Sequence, residues 1–245
     1  MKLFKTFESF LQEGVNDPSI LKAFFMAGGP GSGKSYVASE LFALPKTGDF
    51  GTVSYDNGLK LVNSDAAFEL LLKNAGIDMA NLMSMKDGSA DSWDKAMQLR
   101  DKAKKLTKGT QEMYIAGRLG MIIDGTGKNY KKIEGQVERL RGLGYDCYMV
   151  FVNTSLEVAL ERNKSRPRRL PDAIVINSHK QIQKNMGRLQ RIFGSKNFVV
   201  VDNNDVADDV NPIVHKRIRG MVNRAPTSYQ AVRWIHRELE KKKRK

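Results

Sequence analysis

Short apolar runs alternate along the chain with longer stretches in which apolar residues recur every three or four positions. The runs cover residues 23–27, 59–63, 119–123 and 145–152, with a fifth at Phe198-Val199-Val200-Val201. Continuous apolar runs of this length mark strands buried on both faces. Helical spacing predicts helices near 34–43, 65–75, 91–106, 130–142, 155–163 and 172–193. Strands alternating with helices predict an α/β fold, a mostly parallel five-stranded sheet flanked by helices and joined by right-handed crossovers. Residues 45–58 are rich in Gly, Asp and Asn and read as a loop. Residues 80–118 are polar and helical without a strand, and so form a helical insert between the second and third strands. Residues 204–245 read as a basic C-terminal extension of two helices broken at Pro226, with Thr227 and Ser228 as caps for the second. Before the first strand, residues 1–21 begin with Met1–Leu11, an amphipathic helix pattern without the apolar core or cleavage site of a signal peptide.

The first strand runs into Gly28-Gly29-Pro30-Gly31-Ser32-Gly33-Lys34-Ser35, a full G-x-x-x-x-G-K-[ST] pattern. A helix pattern, Tyr36–Phe42, follows at once. Strand, glycine loop and helix are the context the pattern requires. The glycines let backbone N–H groups curl round phosphates at the positive end of the helix. Lys34 is expected to reach the β- and γ-phosphates, and the Ser35 hydroxyl to ligate Mg²⁺. The alternative, a ligand-free glycine turn, leaves this flanking arrangement without a reason.

Three further segments carry candidate chemistry. Asp65 follows Leu59–Ser64 at the carboxyl edge of the sheet, where open α/β folds bind ligands. A carboxylate there can take the proton of an attacking hydroxyl. Equally, Ser64 or Asp65 can serve as the N-cap of the next helix. Asp124 ends the run Leu119–Ile123, the Walker B arrangement that supports Mg²⁺. Gly125-Thr126-Gly127-Lys128-Asn129 then turns into a helix, and Thr126 and Lys128 either face a phosphate or substrate or merely connect the two elements. Arg162, Lys164, Arg166, Arg168 and Arg169 fall within eight residues that contain no acid. Charges this dense repel one another unless an anion neutralises them. In a phosphoryl-transfer enzyme such a segment, here 162–171, is a lid whose arginines close over the γ-phosphate. Otherwise it is a solvated basic loop or a nucleic-acid patch.

Composition adds partners and compartment. The formal net charge is +14, and removing the terminal Lys241–Lys245 run of five leaves +9, so the body is basic as well. Basic surfaces favour polyanions, nucleic acid first among them, although a nucleotide cleft accounts for part of the excess. Cys147 is the only cysteine and lies in a core-strand pattern, which excludes an internal disulfide and points to packing in a reducing cytoplasm. No apolar run reaches the length of a membrane span. His179, His215 and His236 are scattered, and no spacing suggests a zinc site or a hydrolase triad.

Together, the glycine loop, Val62-Asn63-Ser64-Asp65, Ile123-Asp124-Gly125-Thr126-Gly127-Lys128 and the arginine segment resemble the zeta-toxin and polynucleotide-kinase group of P-loop kinases, over about residues 22–203. The long Arg162–Phe193 segment and the basic tail are similar to phage-encoded members. The resemblance implies a P-loop NTPase domain at 22–203 that uses ATP and Mg²⁺, working in the host cytoplasm if phage-encoded. It implies Asp65 as general base, with Arg162 and Arg166 or Arg169 on the transferring phosphate. Zeta toxins tend to carry arginine where this chain has Lys128, and the insert at 80–118 also departs from the small toxin kinases. Members phosphorylate polynucleotide 5′-hydroxyls, hydroxymethylated bases in phage DNA, or small sugar nucleotides. The sequence therefore reads as an ATP-dependent kinase of an alcohol hydroxyl, with DNA as the favoured acceptor and a sugar nucleotide as the rival. A nucleotide-driven nucleic-acid-binding or packaging ATPase is the rival from another class. The lid within the chain favours a monomeric kinase.

Overall fold

The computed structural model describes residues 15–17, 19–45, 52–54, 56–78, 90–166, 169–204 and 210–243. The expected amphipathic helix at the start of the chain lies outside them. Five strands form one parallel sheet: β1 (Lys22–Ala27), β2 (Lys60–Val62), β3 (Met121–Asp124), β4 (Asp146–Asn153) and β5 (Phe198–Asp202). Their order is β2-β3-β1-β4-β5. The chain leaves β1 for one edge, returns through β3, then crosses to β4 and β5 on the other side. The carboxyl end of β1 is therefore the switch point, where crossovers diverge and leave a crevice.

Eight helices accompany the sheet among the described residues. They are α1 (Lys34–Phe42), α2 (Ser64–Asn74), α3 (Ala90–Ala116), α4 (Tyr130–Gly142), α5 (Leu156–Lys164), α6 (Asp172–Phe193), α7 (Pro212–Val222) and α8 (Tyr229–Lys243). None is long and apolar enough to cross a membrane. On one face of the sheet, Phe25, Met121 and Met149 pack with Val137 and Leu140 of α4 and Ile182 and Leu189 of α6. On the other, Phe24 and Tyr148 stack with centroids 4.9 Å apart beneath Phe42 of α1 and Met221 of α7. Offset aromatic pairs of this kind add to the stability gained from area alone.

Lys22, which the apolar run leaves out, is the first residue of β1 and fully buried, with its Nζ 2.5 Å from Asp146 across the sheet. Burial pushes its pKa down, and Asp146 opposes the shift. Within the insert, the described residues form one helix of 27 residues, α3, far longer than the periodic stretch 91–106. Its mean hydropathy is low, and only a narrow stripe, with Ala96 and Ala103, packs on Phe68 and Leu72 of α2. Ser228 caps α8 by accepting from the Ala231 N–H, as expected, whereas no cap bond is formed by Thr227. Cys147 is buried, and its thiol is pushed up to about 12 by burial.

Candidate active site

The glycine loop leaves β1 at the switch point and delivers its end into α1. Gly33 is the N-cap of α1 in the left-handed region, at φ 77°. A Cβ there would lie 2.3 Å from the Asn203 side-chain nitrogen, and one at Gly31, φ 81°, would lie 2.2 Å from the Ala159 carbonyl oxygen. Only glycine allows α5 and the end of β5 to close on the loop this tightly. The Ser32 carbonyl accepts from Asn203 Nδ2 at 2.8 Å and from Thr154 Oγ1 at 3.2 Å. The Ser32 hydroxyl is buried and has no hydrogen-bond partner. A buried donor without a partner costs free energy, so an interior anion fits it. Lys34 is half-buried and Ser35 exposed at the first turn of α1.

Asp124 is the last residue of β3 and stands in register beside Met26, just before the loop. Its pKa is raised, chiefly by burial of the carboxyl and further by Asp65, while Lys34 opposes the rise. The three side chains that the sequence singles out from separate segments are thus electrostatic neighbours. A carboxyl held above its unfolded pKa destabilises the fold as pH climbs through that raised value, because the native state then surrenders a proton it favours. Asp124→Asn is accordingly expected to be more thermostable than wild type in metal-free buffer, with the advantage growing from acid to neutral pH. Each kcal/mol recovered corresponds to about 2–4 °C in a chain of this size. Thermal melts from pH 4 to pH 8 check this, and a wild type that is the more stable at neutral pH would refute the electrostatic picture.

Asp65 does not cap α2. Asn63 does, accepting from the Asp65 N–H at 2.7 Å. Asp65 sits in the first turn with half its side chain exposed, and its Oδ1 accepts from Arg100 Nη1 at 2.5 Å. Arg100 comes from α3 and lies over the Phe68 ring, 5.0 Å from its centre. Of the arginine segment, Arg162 reaches the crevice: it is half-buried in the last turn of α5, with Nη1 2.7 Å from the Asn203 carbonyl oxygen. Arg166 and Arg169 are exposed, and among the described residues no hydrogen bond or ion pair joins either to the glycine loop. Arg169 stands 3.8 Å from Asp172, an acid just beyond the basic run. The base of this segment is pinned by buried Asn163, which donates to the Leu170 carbonyl at 2.8 Å and accepts from the Leu170 N–H at 3.1 Å.

Thr126 and Lys128 are exposed on the turn that follows β3. Asn185 of α6 holds that turn, donating to the Gly127 and Lys128 carbonyls at 3.1 and 2.6 Å. Beside it opens a cavity of about 670 Å³ between α3 and α4, lined by Ser64, Asp124, Thr126, Lys128, Gln111 and Gln136 among others. Its size suits a ligand of nucleotide dimensions. Asn203, Asn185, Thr154 and Arg100 carry no motif signal. They belong to the site through contacts across 171, 58, 122 and 35 residues of chain respectively.

A sequence profile of the AAA_33 family, described as an AAA domain, matches residues 24–191. No curated protein matches the sequence. Among solved structures, the fold is similar to a Chloroflexus aurantiacus protein provisionally assigned as a kinase: 13% identity, 82% of this chain, 97% of that one, TM-score 0.50. The PezAT toxin–antitoxin system of Streptococcus pneumoniae matches at 12% identity over 90% of this chain and 84% of that one, TM-score 0.46. The AvrRxo1-ORF1:AvrRxo1-ORF2 complex with sulphate ions matches at 14% identity over 74% of this chain, TM-score 0.45. The chain spans about half the length of that last relative, 54% of it. The matched stretch holds the glycine loop, Asp65, Asp124 and the pinned arginine segment of a P-loop NTPase fold. Extending over well over half of the sequence, it shows that the chain belongs to the AAA_33 family.

Proposed function

We propose that the protein is a kinase that transfers the γ-phosphate of ATP to an alcohol hydroxyl, with Mg²⁺. The carrying observation is the convergence of Lys34, Asp124 and Asp65 at the switch-point crevice, next to a cavity large enough for an acceptor. Phosphoryl transfer asks little covalent chemistry of a protein and much positioning and charge. The loop N–H groups and the unpartnered Ser32 hydroxyl receive phosphate oxygens. Lys34 meets the β- and γ-phosphates, and Arg162, already beside Gly33, adds positive charge where the transferring group develops it. Asp65 takes the acceptor proton through the oxygen that Arg100 leaves free, while Arg100 fixes its orientation. Ser35 and Asp124 would hold Mg²⁺, and the enclosed Asp124 carboxyl, strained by burial, fits a cation. That ion, when bound, neutralises phosphate charge. Arg166 and Arg169 project from a segment closed at its base by Asn163 and complete the site as a lid over bound nucleotide.

The acceptor cavity favours a compact hydroxyl compound, the sugar-nucleotide kind included. DNA remains the second reading. It is carried by a groove sharing Lys128 and Asn129 with the cavity and lined by Lys131, Lys184 and Arg188, with Arg188 4.7 Å over the Tyr130 ring. Incubation with γ-labelled ATP and a panel of nucleosides, sugar nucleotides, hydroxymethylated and 5′-hydroxyl oligonucleotides tests both. Label is expected in at least one alcohol. Release of labelled inorganic phosphate alone, with every acceptor unlabelled, would replace the kinase with a nucleotide-driven ATPase.

A further inference from the structure

We infer that the cavity between α3 and α4 contains an anion subsite, so that the acceptor already carries a phosphate or a comparable anionic group besides the hydroxyl it presents. The inference rests on the kinase reading for the word acceptor, but the subsite itself rests on the cavity. Lys108 of α3, Lys128 of the Gly125–Asn129 turn and Lys132 of α4 line this one space from three separate elements. Among the described residues none of the three has an ion-pair partner. The cavity holds two carboxylates, and neither is available. Asp124 is committed to the catalytic end. Glu112 has both oxygens taken by Arg139 of α4, at 2.6 and 2.5 Å, in a fork that ties the two helices together. Lys108 lies near enough to help hold the Glu112 pKa down, yet finds no free oxygen there.

A fourth lysine of the lining, Lys104, is held by Asp101; the other three ammonium groups around the cavity repel one another, and an anion between them removes that repulsion. Lys132 also stands in the first turn of α4, where the helix dipole favours negative charge. The same space is lined by apolar Ile115, Ile133 and Leu140 and by the amides of Gln111 and Gln136. Cations, amides and apolar side chains around one cavity describe a ligand with a charged group, a hydrogen-bonding body and an uncharged face. Lysines serve here as point charges that accept a phosphate in more than one orientation.

The test uses matched acceptor pairs with and without a phosphate: nucleosides against their monophosphates, hexoses against hexose phosphates, and an oligonucleotide containing the same nucleoside. Wild-type protein is expected to use the phosphorylated member with a KM at least tenfold lower. Lys108→Ala combined with Lys132→Ala is expected to abolish that preference and leave the KM for ATP unchanged, and Lys132→Arg to restore part of it. In parallel, calorimetry titrates a nucleoside monophosphate into protein saturated with a non-hydrolysable ATP analogue. One molecule is expected to bind, and the double variant to lose it. Preference for the mononucleotide identifies a small-molecule phosphate, and preference for the oligonucleotide identifies the phosphate of a strand; both support the subsite. Equal use of charged and uncharged members, or binding unchanged in the double variant, overturns it. Binding lost in the variant without transfer to any acceptor would keep the subsite and overturn the kinase.

Discussion

Lys34→Ala is expected to lower phosphoryl transfer by about 100-fold or more while the protein stays folded. The estimate follows from removing one preorganised charge that acts on the transition state. The fold is spared because Lys34 is half-buried at the first position of α1, whereas the core contacts of the helix come from Val37, Ala38, Leu41 and Phe42 further along it. The variant also loses the charge that restrains Asp124, so the carboxyl should shift further upward. Turnover at saturating ATP, ATP affinity and circular dichroism separate these effects. Near wild-type turnover would remove the glycine loop from the chemistry, and an unfolded variant would assign Lys34 a structural role instead.

Asp65→Asn is expected to cut transfer to the acceptor by about 10²- to 10⁴-fold, the range of a general base, and to leave ATP affinity within twofold. Asparagine keeps an oxygen for Arg100 and occupies the same volume. The cap of α2 is untouched, because Asn63 and not Asp65 provides it. A lost cap therefore cannot account for lost turnover, and a thermal melt reads whatever stability the weakened Arg100 pair removes. If turnover survives, the base lies elsewhere, and Asp65 serves to fasten α3 to α2 through Arg100.

The order of elements and most of the candidate chemistry were legible in the sequence, for reasons that differ from element to element. α4 and α6 match their expected limits residue for residue, since each begins just after a turn or proline and carries a clean apolar stripe. β2 is shorter than its apolar run because Leu59 lies just outside the strand, in a segment that turns back toward Val53, which bridges Lys60. α3 outran its pattern because a solvated helix with a narrow contact stripe needs little apolar periodicity. The glycine loop was legible because its requirement is local: positive φ at Gly31 and Gly33 admits few other residues. Asn203, Asn185 and Asn163 were not legible. Asn203 and Asn185 are amides whose importance comes from carbonyls far away in sequence, and Asn163 acts on Leu170 across a loop whose closure no local pattern marks. The same holds for Arg100, one cation among the many of α3, singled out only by where α2 brings Asp65.

The Asn203–Ser32 contact has a consequence for the making of the protein. The glycine loop is synthesised early, yet the amide that orients its carbonyl comes 171 residues later. At about 5–20 residues per second, that leaves the loop waiting roughly ten to thirty seconds on the ribosome. During this interval β5 is missing, and so is the α7 cover of Phe24 and Tyr148. A nascent chain stalled short of β5 should therefore gain little protection from nucleotide, while the finished chain gains it in full, so nucleotide acts as a late-stage folding ligand.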